Sequence, residues 1–118
     1  MPRQNMATMG VRFGSWCALE RAAAEAPERP GLLQVRAEAL LSFPRGKSAM
    51  VLYTATATDE SLVAFVAGRG APLLARAAAL GGRLVRFAEA TLPEAELERL
   101  MQHFTERFSA PPPGNAEE

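Results

Sequence analysis

The sequence predicts a small α+β domain with a mainly antiparallel, three-stranded central sheet flanked by helices. Three strand-like runs carry this prediction, because residues 31–35, 48–55 and 84–90 are mostly apolar or alternate apolar with polar residues. Elsewhere, apolar residues recur at three- and four-residue steps, the period of an α-helix. A chain of 118 residues can bury a core of its own, so we expect one domain over residues 13–110.

The N-terminal part is predicted to be a flexible leader followed by a helix. Residues 1–12 show no apolar period. A helix is expected from Ser15, which can cap it, to about Ala26, after which Pro27 ends it. Trp16 would pack this helix onto the sheet, and the alternative is a ligand-stacking role.

The next stretch predicts two strands joined by a turn. Residues 37–43 (AEALLSF) extend the first strand region and fit either a second short strand or one helical turn. Residues 44–47 (PRGK) have turn chemistry. The strand over 48–55 is nearly all apolar in its middle, which is typical of a central strand covered on both faces.

Two short helices and a third strand are predicted to follow. Gly68 and Gly70 would end the first helix, and Pro72 suits the first turn of the second. In the strand over 84–90, Val85 would face one side of the sheet and Arg86 the other.

The longest helix is predicted from a capping box at Thr91 and Glu94 to about Phe108. Its apolar residues form one narrow stripe that should face the core: Leu97, Leu100, Met101, Phe104 and Phe108. His103 lies on the polar side and lacks the neighbours that a metal site needs. Glu98 lies at the edge of the stripe, where it either reaches a cleft or pairs with a neighbouring Arg. Residues 111–118 are expected to form a Pro-rich flexible tail.

Composition narrows the classes of function. Thirteen basic and thirteen acidic residues give no net charge, which argues against a broad nucleic-acid footprint but leaves a local patch open. The single Cys17 excludes an internal disulfide framework and indicates a reducing, cytoplasmic compartment. No apolar run is long enough to span a membrane. Twelve Arg against one Lys, together with abundant Ala, suggest a GC-rich bacterial genome.

The turn between the first two strands contains Gly46, Lys47 and Ser48, which look like the end of a phosphate-binding loop. That motif needs a glycine where this chain has Leu41, and it needs a helix where a strand is predicted, so we expect no nucleotide-binding P-loop. Arg45 and Lys47 are left as candidates for contact with an anion or a nucleic acid, and the alternative is a solvated hairpin tip. The sequence has no nucleophile-elbow motif and no clustered carboxylates of the kind that hold a metal pair.

Three segments occur in order along the chain: residues 26–33 (APERPGLL), residues 53–55 (YTA) and residues 97–108 (LERLMQHFTERF) followed by PPPGN. Over about residues 27–115 this order resembles the GIY-YIG nuclease-like domains. The first segment resembles the entry to the first strand of that family, and the second takes the place of its second tripeptide. The third resembles the glutamate helix with its Pro-rich stretch and late asparagine.

The resemblance implies a set of site residues. Tyr53, Arg69 and Glu98 would be catalytic, with Arg76 as the alternative arginine and as a phosphate contact. Glu98 would hold a single Mg²⁺ or Mn²⁺, expected only if nuclease activity is retained, and Asn115 would stabilise the site or contact nucleic acid. Leu33 stands where the family has its first Tyr, Ala55 stands in place of a Gly, and Arg69 comes late in its helix. These departures predict that activity is lost or altered.

Three functions therefore stay open. The first is a non-catalytic GIY-YIG-like binding module for a protein or nucleic-acid partner. The second is a divergent metal-dependent DNA endonuclease, and the third is a small structural or dimerisation protein whose apolar helix face joins two copies. The sequence leans away from an enzyme and does not determine the oligomeric state.

Overall fold

The computed structural model describes residues 11–116, which form an α+β structure as predicted. In this range one antiparallel sheet has four strands, where we expected three: β1 (Cys17–Ala18), β2 (Gly31–Phe43), β3 (Gly46–Ala55) and β4 (Leu84–Glu89). The strand order is β1-β4-β2-β3, so β4 and β2 are internal. The prediction that the strand over 48–55 is central is wrong, because β3 lies at the edge of the sheet; its apolar run reflects burial of residues 51–55 rather than a strand on each side. The additional strand is β1, which has only two residues and pairs with β4.

Four α-helices accompany the sheet in the described range. They are α1 (Ala22–Glu25), α2 (Leu62–Ala67), α3 (Ala71–Ala79) and α4 (Pro93–Phe108), and short 3₁₀ helices lie at Leu19–Arg21 and Pro113–Asn115. Between residues 11 and 116 the structure contains no helix with both the length and the apolarity needed to cross a bilayer.

The helix predicted from Ser15 to Ala26 is wrong in its first half. The backbone there runs beside β4: Gly14 N–H donates to Phe87 C=O at 2.9 Å, and Leu19 N–H donates to the carbonyl of Arg83 at 2.9 Å. Pairing with a distant strand outweighs the helical preference of the alanine-rich stretch, and helix remains only in α1 and the turn before it.

The first two predicted strands form one long hairpin. β2 continues through residues 37–43, which settles the open alternative in favour of a strand. Phe43 pairs with Gly46 across the turn, and Gly46 has φ of +118°, a conformation that favours glycine. The pairing is irregular between Arg36 and Leu41, so the outer half of the hairpin has its own register.

The predicted capping box at the start of the longest helix does not form. α4 begins at Pro93, its N-cap residue is Leu92, and no side chain caps it. Thr91 therefore lies one residue before the N-cap position that a capping box requires it to occupy. Pro93 fixes the first turn instead, because its backbone angle suits that position and it has no N–H to satisfy.

The two faces of the sheet are packed differently. One face, which we call the helical face, bears the core under α1, α2 and α3: Leu33, Val35, Leu52, Phe65, Val85 and Phe87 are among its buried residues. The other face, which we call the α4 face, packs against α4, where the ring of Phe104 lies 5.8 Å from that of Tyr53 and 5.2 Å from that of Phe43.

Part of the predicted flexible tail packs against the sheet. Pro112 is fully buried, and the 3₁₀ helix that follows it lies along the edge strand β3. Gly114 approaches so closely that an added Cβ would come within 2.6 Å of the Val51 carbonyl oxygen. Residues 117–118 of that tail and residues 1–10 of the predicted leader lie outside the described residues.

Candidate functional site

A row of polar side chains crosses the α4 face of the sheet. Gln34 on β2 pairs with Tyr53 on β3 and with Arg86 on β4. Directly opposed residues in a sheet point to the same face, so these three side chains lie side by side. Gln34 and Tyr53 are buried, at 3% and 8% exposure, and Arg86 is half-buried.

Aromatic rings from the N-terminal segment cover one end of this row. Cys17 pairs with Val85 of the helical-face core, so Trp16 before it points to the α4 face. The guanidinium carbon of Arg86 lies 4.4 Å from the centre of the Trp16 ring and 4.8 Å from that of Phe13.

A second arginine, Arg36, shares the Trp16 ring. It lies two residues after Gln34 on β2, on the same face, and its guanidinium carbon is 4.5 Å from the ring centre. We call this group the arginine–aromatic cluster; it consists of Phe13, Trp16, Gln34, Arg36, Tyr53 and Arg86.

The cluster contains two positive charges and no carboxylate. Neither Arg36 nor Arg86 makes an ion pair with another residue of the described range. Arg86 Nε donates to Gln34 Oε1 at 2.6 Å, whereas Arg36 Nε is buried and has no hydrogen-bond partner in that range. The segment that covers the cluster adds no compensating charge, because the first acidic residue of the chain is Glu20.

Burial shifts both titratable groups at the centre of the cluster. It lowers the pKa of Arg86; the phenol of Tyr53 acts in the opposite direction, and Arg36 lowers that pKa further. Burial also raises the pKa of Tyr53, against the opposing effect of Arg86. Tyr53 is therefore a protonated hydrogen-bond donor at neutral pH and a poor proton acceptor.

One open donor of the cluster, the phenol of Tyr53, reaches solvent. The phenol oxygen of Tyr53 has no hydrogen-bond partner between residues 11 and 116. Within that range Arg36 Nε is the one buried side-chain polar atom without a partner, so the phenol oxygen is accessible. The arrangement can hold an acceptor-rich anion, and it offers no carboxylate that could act as a general base.

Two of the predicted site residues lie together. Asn115 binds the backbone of Tyr53 twice: its Oδ1 accepts from Tyr53 N–H at 2.9 Å, and its Nδ2 donates to Tyr53 C=O at 2.8 Å. The amide thus occupies the position of a neighbouring strand at the β3 edge.

The other two predicted catalytic residues do not join Tyr53. Arg69 donates to both carboxylate oxygens of Glu60 and lies over the ring of Phe65, a helical-face core residue. It is therefore on the opposite side of the sheet from the Tyr53 side chain. Glu98 is exposed on α4 and makes neither a hydrogen bond nor an ion pair within the described residues.

The residues do not fit the divalent metal ion that the resemblance implies. Among residues 11–116 no group of three or more His, Cys, Asp and Glu side chains is placed to hold a metal. Glu98 would supply a single exposed carboxylate, whereas divalent cations such as Mg²⁺ need several oxygen ligands in ordered geometry. We therefore derive no chemistry through a metal.

The predicted basic contacts lie at separate places. Arg45 is at the hairpin tip, where its N–H donates to Phe108 C=O at 3.1 Å and its guanidinium to Glu106 C=O at 3.5 Å. It thus satisfies carbonyls at the C-terminal end of α4, where a cation is favourable. Lys47 is exposed nearby, and Arg76 on α3 donates to Ala116 C=O at 3.4 Å.

The arginines of the cluster were missed as site residues. The alternation over 31–35 and 84–90 indicated that Gln34 and Arg86 point away from the apolar core. The predicted covering of the strand over 48–55 on both faces could have indicated that Gln34, on the neighbouring β2, is buried; no such signal marked Arg86, because β4 does not pair with that strand. The position of Trp16 carried no such signal, because its strand pairing is non-local.

Comparisons with protein-family models, curated proteins and solved structures yield no match to this chain. The resemblance to GIY-YIG domains thus stays a prediction that depends on the residues quoted for it. The structure adds that Leu33 and Tyr53 occupy opposite faces of the sheet, because Leu33 pairs with Thr54 and Gln34 pairs with Tyr53.

Proposed function

We propose that this protein is a non-catalytic binding module that holds a partner through an anionic group at the arginine–aromatic cluster. The observation that supports it is the half-buried pair Arg36 and Arg86, which lacks a carboxylate in the described residues. Buried charges are normally paired, since an unpaired one forfeits hydration without compensation. An anionic ligand would supply the missing counter-charge.

The chemistry around the cluster favours binding over catalysis. Hydrolysis needs a proton acceptor, and the raised pKa of Tyr53 makes its phenolate scarce at neutral pH. Arg69 is engaged by Glu60 on the other side of the sheet. The anionic group can be a phosphate of nucleic acid or a carboxylate of a protein, the two partner classes that the sequence left open.

One contact favours the second candidate, a divergent endonuclease. The resemblance implies that the late asparagine stabilises the site, and Asn115 does bind the backbone of Tyr53. Plasmid nicking with Mg²⁺ or Mn²⁺ tests this candidate, and activity that Glu98→Ala abolishes would replace our proposal. The dimerisation function has less support, because the apolar stripe of α4 packs on its own sheet through Phe104.

The binding function can be tested with an intrinsic probe. Trp16 is the only tryptophan of the chain and contacts both arginines, so its fluorescence reports on the cluster alone. We would titrate the protein at low salt with single-stranded, duplex and branched DNA and with a Glu-rich peptide. We expect saturable quenching by at least one of them.

A matched variant separates the cluster from general charge. Arg86→Gln removes a charged donor worth about 1.5–3 kcal/mol, so affinity should fall by roughly 10- to 150-fold. Arg107→Gln is the control, because Arg107 also lies over an aromatic ring, 5.3 Å from the centre of Phe108, but on the exposed part of α4. Equal effects of the two substitutions, or no saturable binding by any anion, would overturn the proposal.

A further inference from the structure

We infer that the arginine–aromatic cluster recognises a phosphomonoester dianion. The inference rests on the proposed anion-binding function and names the chemical group that this site selects. It follows from the number of charges, the kind of hydrogen-bonding groups and their arrangement around one ring.

The number of charges favours a doubly charged ligand. Arg36 and Arg86 lie 4.5 and 4.4 Å from the same ring centre. Their guanidinium carbons are therefore at most about 9 Å apart, a distance comparable to the screening length of about 8 Å in physiological salt. Both side chains are half-buried, which weakens screening further, so the two charges repel each other. A carboxylate or a phosphodiester carries one charge and leaves one arginine uncompensated. A phosphomonoester carries about −1.5 to −2 near neutral pH and balances both.

The hydrogen-bonding groups favour a ligand that only accepts. Arg36 Nε and the Tyr53 hydroxyl lack partners in the described part of the chain, and the guanidinium groups can only donate. The side-chain acceptor of Gln34 already receives Arg86 Nε. A fully deprotonated phosphate, with three acceptor oxygens, matches this set, in which donors outnumber acceptors; the acceptors that a hydroxyl or an amide would find are the Tyr53 phenol oxygen and the second lone pair of Gln34 Oε1.

The arrangement is held in place before any ligand arrives. Gln34 fixes Arg86 from the side through a 2.6 Å hydrogen bond, and the ring of Trp16 contacts both guanidinium groups. These groups lose little conformational freedom on binding, which favours affinity from a small number of contacts.

The test compares methyl phosphate with dimethyl phosphate by Trp16 fluorescence at matched ionic strength. The two differ in charge and little in shape, since dimethyl phosphate is a monoanion at all relevant pH. At about pH 8 we expect methyl phosphate to bind at least about tenfold more tightly. Its affinity should fall by roughly tenfold towards about pH 5, because its second pKa is about 6. Sulfate, which stays a dianion over that range, should change less than about twofold.

Two substitutions at Arg36 provide the residue-level test. Arg36→Gln should remove most of the preference for methyl over dimethyl phosphate, and Arg36→Lys should retain it, because Lys keeps the charge. Arg107→Gln is the control and should leave both affinities unchanged. Thermal melts report whether each variant folds, and the comparison of the two esters on the unaltered chain needs no variant.

The outcomes separate this inference from the function on which it rests. Equal affinity for the two esters overturns the dianion inference and leaves anion binding standing. If no anion quenches Trp16, both fail. Free phosphate and a phosphorylated strand end share the same group, so a short oligonucleotide with a 5′-phosphate is compared with its 5′-hydroxyl counterpart. Tighter binding of the phosphorylated strand supports the inference and identifies a strand end as its source, and equal binding of the two strands overturns it.

Discussion

Replacing Asn115 with Ala should destabilise the fold by detaching the C-terminal segment from the sheet edge. The substitution removes two hydrogen bonds to the backbone of Tyr53, at 2.9 and 2.8 Å. Each bond contributes about 0.5–1.5 kcal/mol net to stability, and the loss of both totals roughly 2 kcal/mol. The cost stays near this value because β3 is an edge strand, where water can reach the freed backbone groups.

Urea unfolding and thermal melts measure this effect. For a chain of this size about 1 kcal/mol corresponds to about 4 °C in melting temperature, so we expect a decrease of roughly 8 °C. Gln102→Ala is the matched control, because Gln102 is an exposed amide that donates a 3.3 Å hydrogen bond to Glu106 on the surface of α4. It should change the unfolding free energy by less than about 0.5 kcal/mol.

A second substitution tests the geometry of the Asn115 contact. Asn115→Asp keeps the acceptor for Tyr53 N–H but sets a carboxylate oxygen against the Tyr53 carbonyl, where the amide nitrogen donates now. It should be at least as destabilising as Asn115→Ala above about pH 4, the usual carboxyl pKa. If Asn115→Ala changes stability no more than Gln102→Ala does, the segment does not depend on these bonds and the reasoning is refuted.

Three further outcomes follow from single contacts. Burial raises the pKa of Tyr53, the only tyrosine, so its ultraviolet absorbance should titrate above the usual value of about 10. The protonated phenol contributes stability that is fully present below about pH 10 and is lost as pH rises through the folded pKa. The Tyr53→Phe variant should not show this loss. The hydrogen bonds from Arg69 lower the pKa of Glu60. Denaturation at a series of acidic pH values should therefore show stabilisation that is present above about pH 4.3 and is lost as pH falls through the lowered pKa. Arg69→Ala should reduce this dependence of the unfolding free energy on pH. Gly31→Ala should cost at least about 2 kcal/mol because the new Cβ would collide with the Ala88 carbonyl across the sheet, whereas Gly14→Ala, with 3.7 Å to its nearest neighbour, should be tolerated.

The elements that the sequence predicts well are those whose packing leaves a local pattern. β4 was expected at 84–90 and occupies Leu84–Glu89, because apolar and polar residues alternate there across a half-buried strand. The stripe that predicted α4 does face the sheet, through Phe104. Both signals arise within a few residues of the element itself.

The elements that the sequence mispredicts depend on distant partners. Cys17 is in a strand because β4 lies beside it, and nothing within the surrounding alanine-rich stretch indicates this. The start of α4 differs for a local reason, since Pro93 can begin a helix without the capping box that Thr91 suggested. Asn115 was expected in a flexible tail, and it is ordered by the backbone of a strand 62 residues away in sequence.

The candidate site was predicted only in part for the same reason. Tyr53 was identified through its resemblance to a family tripeptide, and the alternation around Arg86 gave the correct face for that side chain. That face becomes a site only when three strands and the N-terminal segment bring Arg36, Arg86 and Trp16 together. Such convergence depends on sheet register, which one sequence does not reveal.

On the α4 face, fold stability accounts for the aromatic residues but not for the two arginines. Beneath α4, aromatic rings pack edge to face, with Phe104 against Phe43 and Tyr53, and each contact adds to stability. Towards β4 the same face carries two arginines that repel each other and contact one ring of Trp16. Cation–π contacts of about 0.5–2 kcal/mol offset part of the cost of burying these charges but supply no opposite charge. Arg86 satisfies the buried amide of Gln34, but neither arginine has an opposite charge beside it among the described residues, and the anionic ligand that we propose would supply that charge.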